Sequence, residues 1–206
     1  MERKSGEQTL LASVVLSSPG PLILGIALFF GRSSTQLADF IRRTVELAAI
    51  VVSWIVYRVL RKKASVDHAR KEGLERTANL TVGVAMSLSG LVMLFLALSS
   101  SSSTDKGNVV PGLIIAFLGV VVNSWFWLRY RNLNRARPDA ILAVQSRLYR
   151  AKSVVDICVV VALLFVAFAP SASITPYVDL GGSIIVAVYL IRNGYITIRE
   201  RVGATE

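Results

Sequence analysis

Cysteine and histidine are almost missing from this chain of 206 residues, which holds one of each, Cys158 and His68. A lone thiol inside an apolar run allows no intramolecular disulfide and no thiolate metal cluster. A lone imidazole leaves little room for histidine chemistry. Charge is scarce as well: charged residues make up 17% of the chain, against about a quarter in a soluble domain. There is no nucleophile paired with a base, no ligand cluster and no phosphate loop, so nothing supports an enzyme or a bound cofactor. What fills the chain is apolar, 53% of all residues, with a mean hydropathy of +0.58. The apolar residues lie in long runs, which excludes a disordered chain, a disulfide-stapled secreted domain and an ordinary soluble enzyme. An integral membrane protein is implied.

A helical crossing needs about 20 residues. Six segments qualify or nearly so, with approximate helices at 9–30, 36–60, 77–98, 109–128, 150–169 and 177–198. The expected fold is an all-α six-helix bundle, a single transmembrane domain over 1–206 with no soluble domain. The first run is broken by Ser17-Ser18-Pro19-Gly20-Pro21. It lacks a small-x-small cleavage site and reads as a retained helix kinked at the prolines. Small residues recur at helical spacing in span three (Gly83, Ser87, Gly90) and span four (Gly112, Ala116, Gly119), which predicts close helix packing.

The basic residues are distributed unevenly. The segments after spans two and four and the two termini hold 19 Lys and Arg; the other three connections, Gly31–Thr35, Ser99–Asn108 and Pro170–Pro176, hold only Arg32 and Lys106. Basic residues stay on the cytoplasmic side, so both termini are expected there. The same distribution accounts for the net charge of +10 through span ends and anionic lipid headgroups rather than nucleic acid. Short loops and the absence of targeting segments fit a bacterial inner membrane.

Ionisable groups inside spans are costly, and are paired or functional. Asp39, Glu46, Asp156 and Asp179 are the acids concerned. Asp39 with Arg43, Arg42 with Glu46, and Lys152 with Asp156 are each four apart on one helix face, so each pair can neutralise itself. Asp179 opens the last helix and can favour its positive dipole end. Arg43, Lys152 and Asp179 read as structural; Glu46 and Asp156, deeper in their runs, are the stronger functional candidates.

Six spans with basic segments after the second and fourth resemble the cation diffusion facilitator family. Locally, Gly31-Arg32-Ser33-Ser34-Thr35-Gln36-Leu37-Ala38-Asp39 is similar to that family's Gly-Ser-x-x-x-x-x-x-Asp approach to its second helix, with one extra residue. His68-Ala69-Arg70-Lys71-Glu72-Gly73-Leu74-Glu75-Arg76 is similar to the His-Pro-x-Gly-x-Gly-x-x-Glu run before its third. Asn123, Asp179 and Gly194 also fall where the family often has such residues. The resemblance implies exchange of Zn²⁺ or a related ion for protons by a homodimer that alternates between two access states. It also implies a four-ligand site, from [His/Asp]-x-x-x-Asp on helix two and His-x-x-x-Asp on helix five.

Carried over by position, that site falls on Arg42 and Glu46, and on Arg150 and Val154 with Asp156 two residues further. An arginine cannot ligate a metal, so the familiar tetrahedral zinc site is absent. The transport-site candidates are Arg42, Glu46, Arg150, Asp156 and Asp39; Glu46 is the one conventional cation ligand left among the carried-over positions, and a rotation of helix five would add Asp156. The family's usual cytoplasmic domain after helix six is not expected here. The implied function is movement of a cation, with protons, through a modified site between helices two and five. The alternative is a non-transporting relative serving as a partner subunit or scaffold.

Overall fold

The computed structural model describes residues 2–30, 34–62, 67–99, 110–168 and 175–202. Every element among them is helical: α1 (Glu2–Ser17), α2 (Pro19–Phe30), α3 (Ser34–Lys62), α4 (His68–Ser99), α5 (Val110–Ala136), α6 (Ala140–Phe168) and α7 (Thr175–Val202). Residues 31–33 of the glycine-serine motif lie outside the described residues, as do most of the serine-rich loop and of the Pro170–Pro176 connection. The side chains of Asp39 and Asp179 also lie outside them.

The first run is two helices, α1 and α2, parted at Ser18. The Ser18 amide still donates to Val14 O at 3.0 Å and Leu22 N to Ser18 O at 3.4 Å, so the ladder bends without unwinding. Pro19 and Pro21 bring no amide hydrogen to that turn.

Four helices reach well past their apolar runs. α1 begins at Glu2, α4 begins at His68, α5 continues to Ala136 and α6 begins at Ala140. The basic stretch after span four is therefore a tight helical hairpin. Pro138 stops α5, and Asp139 caps α6, its Oδ1 accepting from the amides of Ile141 (2.9 Å) and Leu142 (3.2 Å). An apolar run marks the part of a helix that meets lipid or core; Arg, Gln and Leu beyond it are good helix formers and extend it.

The start of α1 meets the far ends of α3 and α5, which brings described basic side chains together at one end of the bundle. There Glu7 of α1 pairs with Arg58 (3.8 Å) and Arg61 of α3, and Arg129 of α5 donates to Ser5 of α1 at 2.6 Å. The closest helix pairs are α4 with α7 and α5 with α6, while α3 touches α6 only sparsely. Along the α4–α7 seam a Cβ on Gly90 would lie 2.7 Å from Ala187 O, and one on Gly194 2.6 Å from Gly83 O. Backbone meets backbone there, so these glycines are the condition for the packing.

The outside is apolar. Leu98, Ile185, Phe95 and Leu22 are each about two-thirds exposed, an exterior that suits lipid rather than water. By length and composition, α4 and the Leu180–Arg199 part of α7 are the described helices long and apolar enough to cross a bilayer.

Candidate functional site

A cavity of about 380 Å³ lies between the middle of the bundle and its less basic end. α3 supplies Arg42, Arg43 and Glu46 to its wall, α5 supplies Gly119 and Asn123, and α6 supplies Lys152 and Asp156. Met86 and Met93 of α4 close the apolar side.

Glu46 sits one turn after Arg42 on α3 and is 5% exposed. Its carboxylate is held from three helices. Ser89 Oγ of α4 donates to Oε1 at 3.0 Å, Arg42 Nη1 stands 3.9 Å from Oε1, and Lys152 Nζ of α6 lies 3.2 Å from Oε2. A carboxylate this deep persists as an ion only where partners of this kind replace water.

Asp156, one turn after Lys152 on α6, has a gentler environment. Asn123 Nδ2 of α5 donates to its Oδ2 at 2.6 Å, and the charges of Lys152, Arg42 and Glu46 act on it from further off. Gly119 makes the room: a Cβ there would lie 2.7 Å from Oδ2. The helix pair that carries Asp156 is stitched again one turn on, by Ser124 Oγ and Ser153 Oγ at 2.6 Å.

Towards the basic end the site rests on an aromatic stack. Phe126 and Tyr130 of α5 and Tyr149 of α6 are buried, with ring centroids 4.9 Å (Phe126–Tyr149) and 5.4 Å (Tyr130–Tyr149) apart. Their hydroxyls are tied to α1, Tyr130 donating to Ser13 Oγ at 2.8 Å and Tyr149 lying 3.3 Å from Ser17 Oγ. The Lys152 ammonium stands over the Tyr149 ring, 5.4 Å from its centroid.

Of the five sequence candidates, Arg42, Glu46 and Asp156 meet at this cavity. Arg150 does not: it is exposed and its Nη2 donates to Asn193 Oδ1 of α7 at 3.5 Å. Two residues along a helix are a rotation of about 200°, so a register that lands on Arg150 points away from the face that carries Lys152 and Asp156. The side chain of Asp39 lies outside the described residues.

Lys152 was assigned by spacing to Asp156 on its own helix. The structure pairs it instead across the bundle with Glu46. Its signal in the sequence was being the basic residue deepest in the fifth run.

Two carboxylates, an amide and a hydroxyl can offer oxygen donors to a cation. Among the described residues no three His, Cys, Asp or Glu side chains group as a metal site, and His68 is exposed at the start of α4.

Residues 10–204 match the family model of the cation efflux transmembrane domain. A cadmium, cobalt and zinc/H(+)-K(+) antiporter of Bacillus velezensis is 26% identical over 208 residues, covering 96% of this chain and 62% of that protein. The chain thus spans about three-fifths of that relative's length.

Proposed function

The chain belongs to the cation efflux family, a family of multi-pass membrane transporters rather than enzymes, and on that premise we propose that it moves a divalent cation through the cavity between α3 and α6 in exchange for protons. The observation that carries the proposal is the convergence of Glu46 and Asp156, from two helices that otherwise touch little, on one cavity. A carboxylate pair takes either protons or a cation, and its net charge changes with the choice. That difference can bias two arrangements of α3 against α6. The relative's name, a cadmium, cobalt and zinc/H(+)-K(+) antiporter, supports proton coupling.

The donors are oxygens. Such a set suits a harder ion such as Mn²⁺ better than zinc, which selects thiolate and imidazole. The metals in the relative's name, cadmium, cobalt and zinc, belong in the same screen.

The basic end of the bundle faces the cytoplasm, since Lys and Arg set orientation. Six crossings then result, with α1 and α2 forming one of them and both ends of the chain inside. A homodimer in a bacterial inner membrane completes the reading, which the Bacillus relative fits.

A second reading has a specific observation behind it. The 3.2 Å pair between Glu46 and Lys152 would serve equally as a permanent lock in a non-transporting relative.

Flux into proteoliposomes of the purified chain separates the two, with a metal dye and a pH dye inside. The expected result is saturable Mn²⁺, Co²⁺, Cd²⁺ or Zn²⁺ flux with opposed proton movement, abolished by Glu46→Gln. Folded protein that carries none of them, or a Glu46→Gln, Asp156→Asn double variant that carries them undiminished, overturns the proposal.

A further inference from the structure

Three cationic side chains (Arg42, Arg43 and Lys152) and two acids line the cavity, an odd lining for a cation's binding place. Several described groups surround Lys152. Glu46 and Arg42 of α3 face it, with Arg43 on the same cavity; Asp156 and Tyr149 flank it on α6; α4 and α5 bring the neutral Ser89 and Asn123. Of all these, the Glu46 carboxylate is the partner within ion-pair distance of its ammonium.

We infer that the Lys152 ammonium is a tethered competitor for the transported cation: it occupies Glu46 in the empty site, and cargo binds by displacing it into the cavity. This rests on the transport reading above and adds to it the residue that sets ion choice.

Three observations carry the inference. The ammonium holds one oxygen of Glu46 at 3.2 Å, so a cation cannot take the same oxygen while it stays. The side chain is not walled in: it keeps 19% of its surface exposed and borders a cavity of about 380 Å³, room for a flexible four-carbon stem to swing. Asp156, by contrast, is met within hydrogen-bond distance by a neutral amide. One oxygen of Glu46 is thus held by a movable charge, while Ser89 and Arg42 stay on the other, and Asp156 is held by a dipole, an arrangement in which cargo anchors at Asp156 and exchanges with the ammonium at Glu46.

Ion selection follows from charge. A monovalent ion offers Glu46 no more charge than the ammonium it must expel, whereas a divalent ion offers twice as much. The tether therefore discriminates against K⁺ and Na⁺ and lowers affinity for every cation.

The test is titration of the purified full chain in detergent with Mn²⁺ alone, repeated with K⁺ as competitor, for wild type, Lys152→Met, Lys152→Arg and Glu46→Gln. Lys152→Met should tighten Mn²⁺ binding by about tenfold or more and make it sensitive to K⁺. Lys152→Arg should not tighten it, because the positive charge stays. In wild type, saturating Mn²⁺ should also raise the reductive-methylation rate of Lys152 several-fold by peptide mass, a readout that depends on no variant folding. If wild type binds Mn²⁺ but Lys152→Met binds no tighter, or Lys152 labelling is unmoved by Mn²⁺, the competitor is refuted and the transport site stands. If neither wild type nor Lys152→Met binds, the competitor and the proposed site both fall.

Discussion

The seam between α4 and α7 and the boundary between α3 and α6 are built on opposite principles. At the first, Gly83, Gly90 and Gly194 let backbones touch, with Ile191 and Ile198 filling the remaining space. Among the described contacts at these glycines the neighbours are backbone and uncharged side chains, and packing of this kind has one arrangement. At the second, two helices that scarcely pack are joined through Glu46 and Lys152. An ion pair tolerates separation where a cation or a proton can replace either partner; a steric seam does not. The contrast teaches where this bundle is a scaffold and where it can open.

The strongest way to break that contrast is to fill the seam. Gly194→Leu would drive a side chain into Gly83 O and Ser87 and should cost roughly 3 kcal/mol, near the top of the range for overpacking. Loss of the monodisperse peak in detergent chromatography checks this; an unchanged peak and melting temperature would mean the seam is looser than its geometry. A smaller stability effect with a larger functional one is expected at Gly119→Ala. There the three atoms nearest the new methyl all belong to the Asp156 carboxyl group, a side chain rather than backbone, so stability should fall by no more than about 1 kcal/mol while cation flux drops several-fold. Equal losses in both would make Gly119 a packing glycine like those of the seam. The smallest effect belongs to Gly73→Ala in the polar first turns of α4. Nothing lies within 4 Å of a Cβ there, and thermal unfolding should show a gain of about 0.5–1 kcal/mol with flux unchanged.

Much of this was legible in the chain before any coordinates. The apolar runs located the helices, and the small-residue spacing of span three marked a close-packing face, because steric periodicity is written within one helix; the same spacing in span four predicted packing where Ala116 and Gly119 instead line the cavity. Glu46 and Asp156 stood out because an acid deep in an apolar run has few explanations. The Arg42–Glu46 pair also follows from i,i+4 spacing alone. What spacing cannot carry is the register between helices. Lys152 has an acid one turn away on its own helix and another across the bundle, and only the packing of α6 against α3 decides that Glu46 receives it. The tyrosine layer was equally hidden: Tyr130 and Tyr149 are ordinary interfacial aromatics until Ser13 and Ser17 of α1 are seen to meet their hydroxyls. Helix ends were misjudged for a simpler reason, since α4 and α6 continue as helices through residues that are polar but not helix-breaking.

The most direct measurement is a pair of spin-label distances in one preparation, with Cys158→Ala as background. One pair, at Ile41 and Val161, spans α3 and α6; the other, at Leu91 and Ile185, spans α4 and α7, and all four positions are exposed. With saturating Mn²⁺, then with Mn²⁺ removed at acidic pH, the α3–α6 distance should shift by several ångströms while the α4–α7 distance holds. Two fixed distances in folded, metal-binding protein, or two that change together, would contradict an account in which α3 and α6 part around a rigid seam.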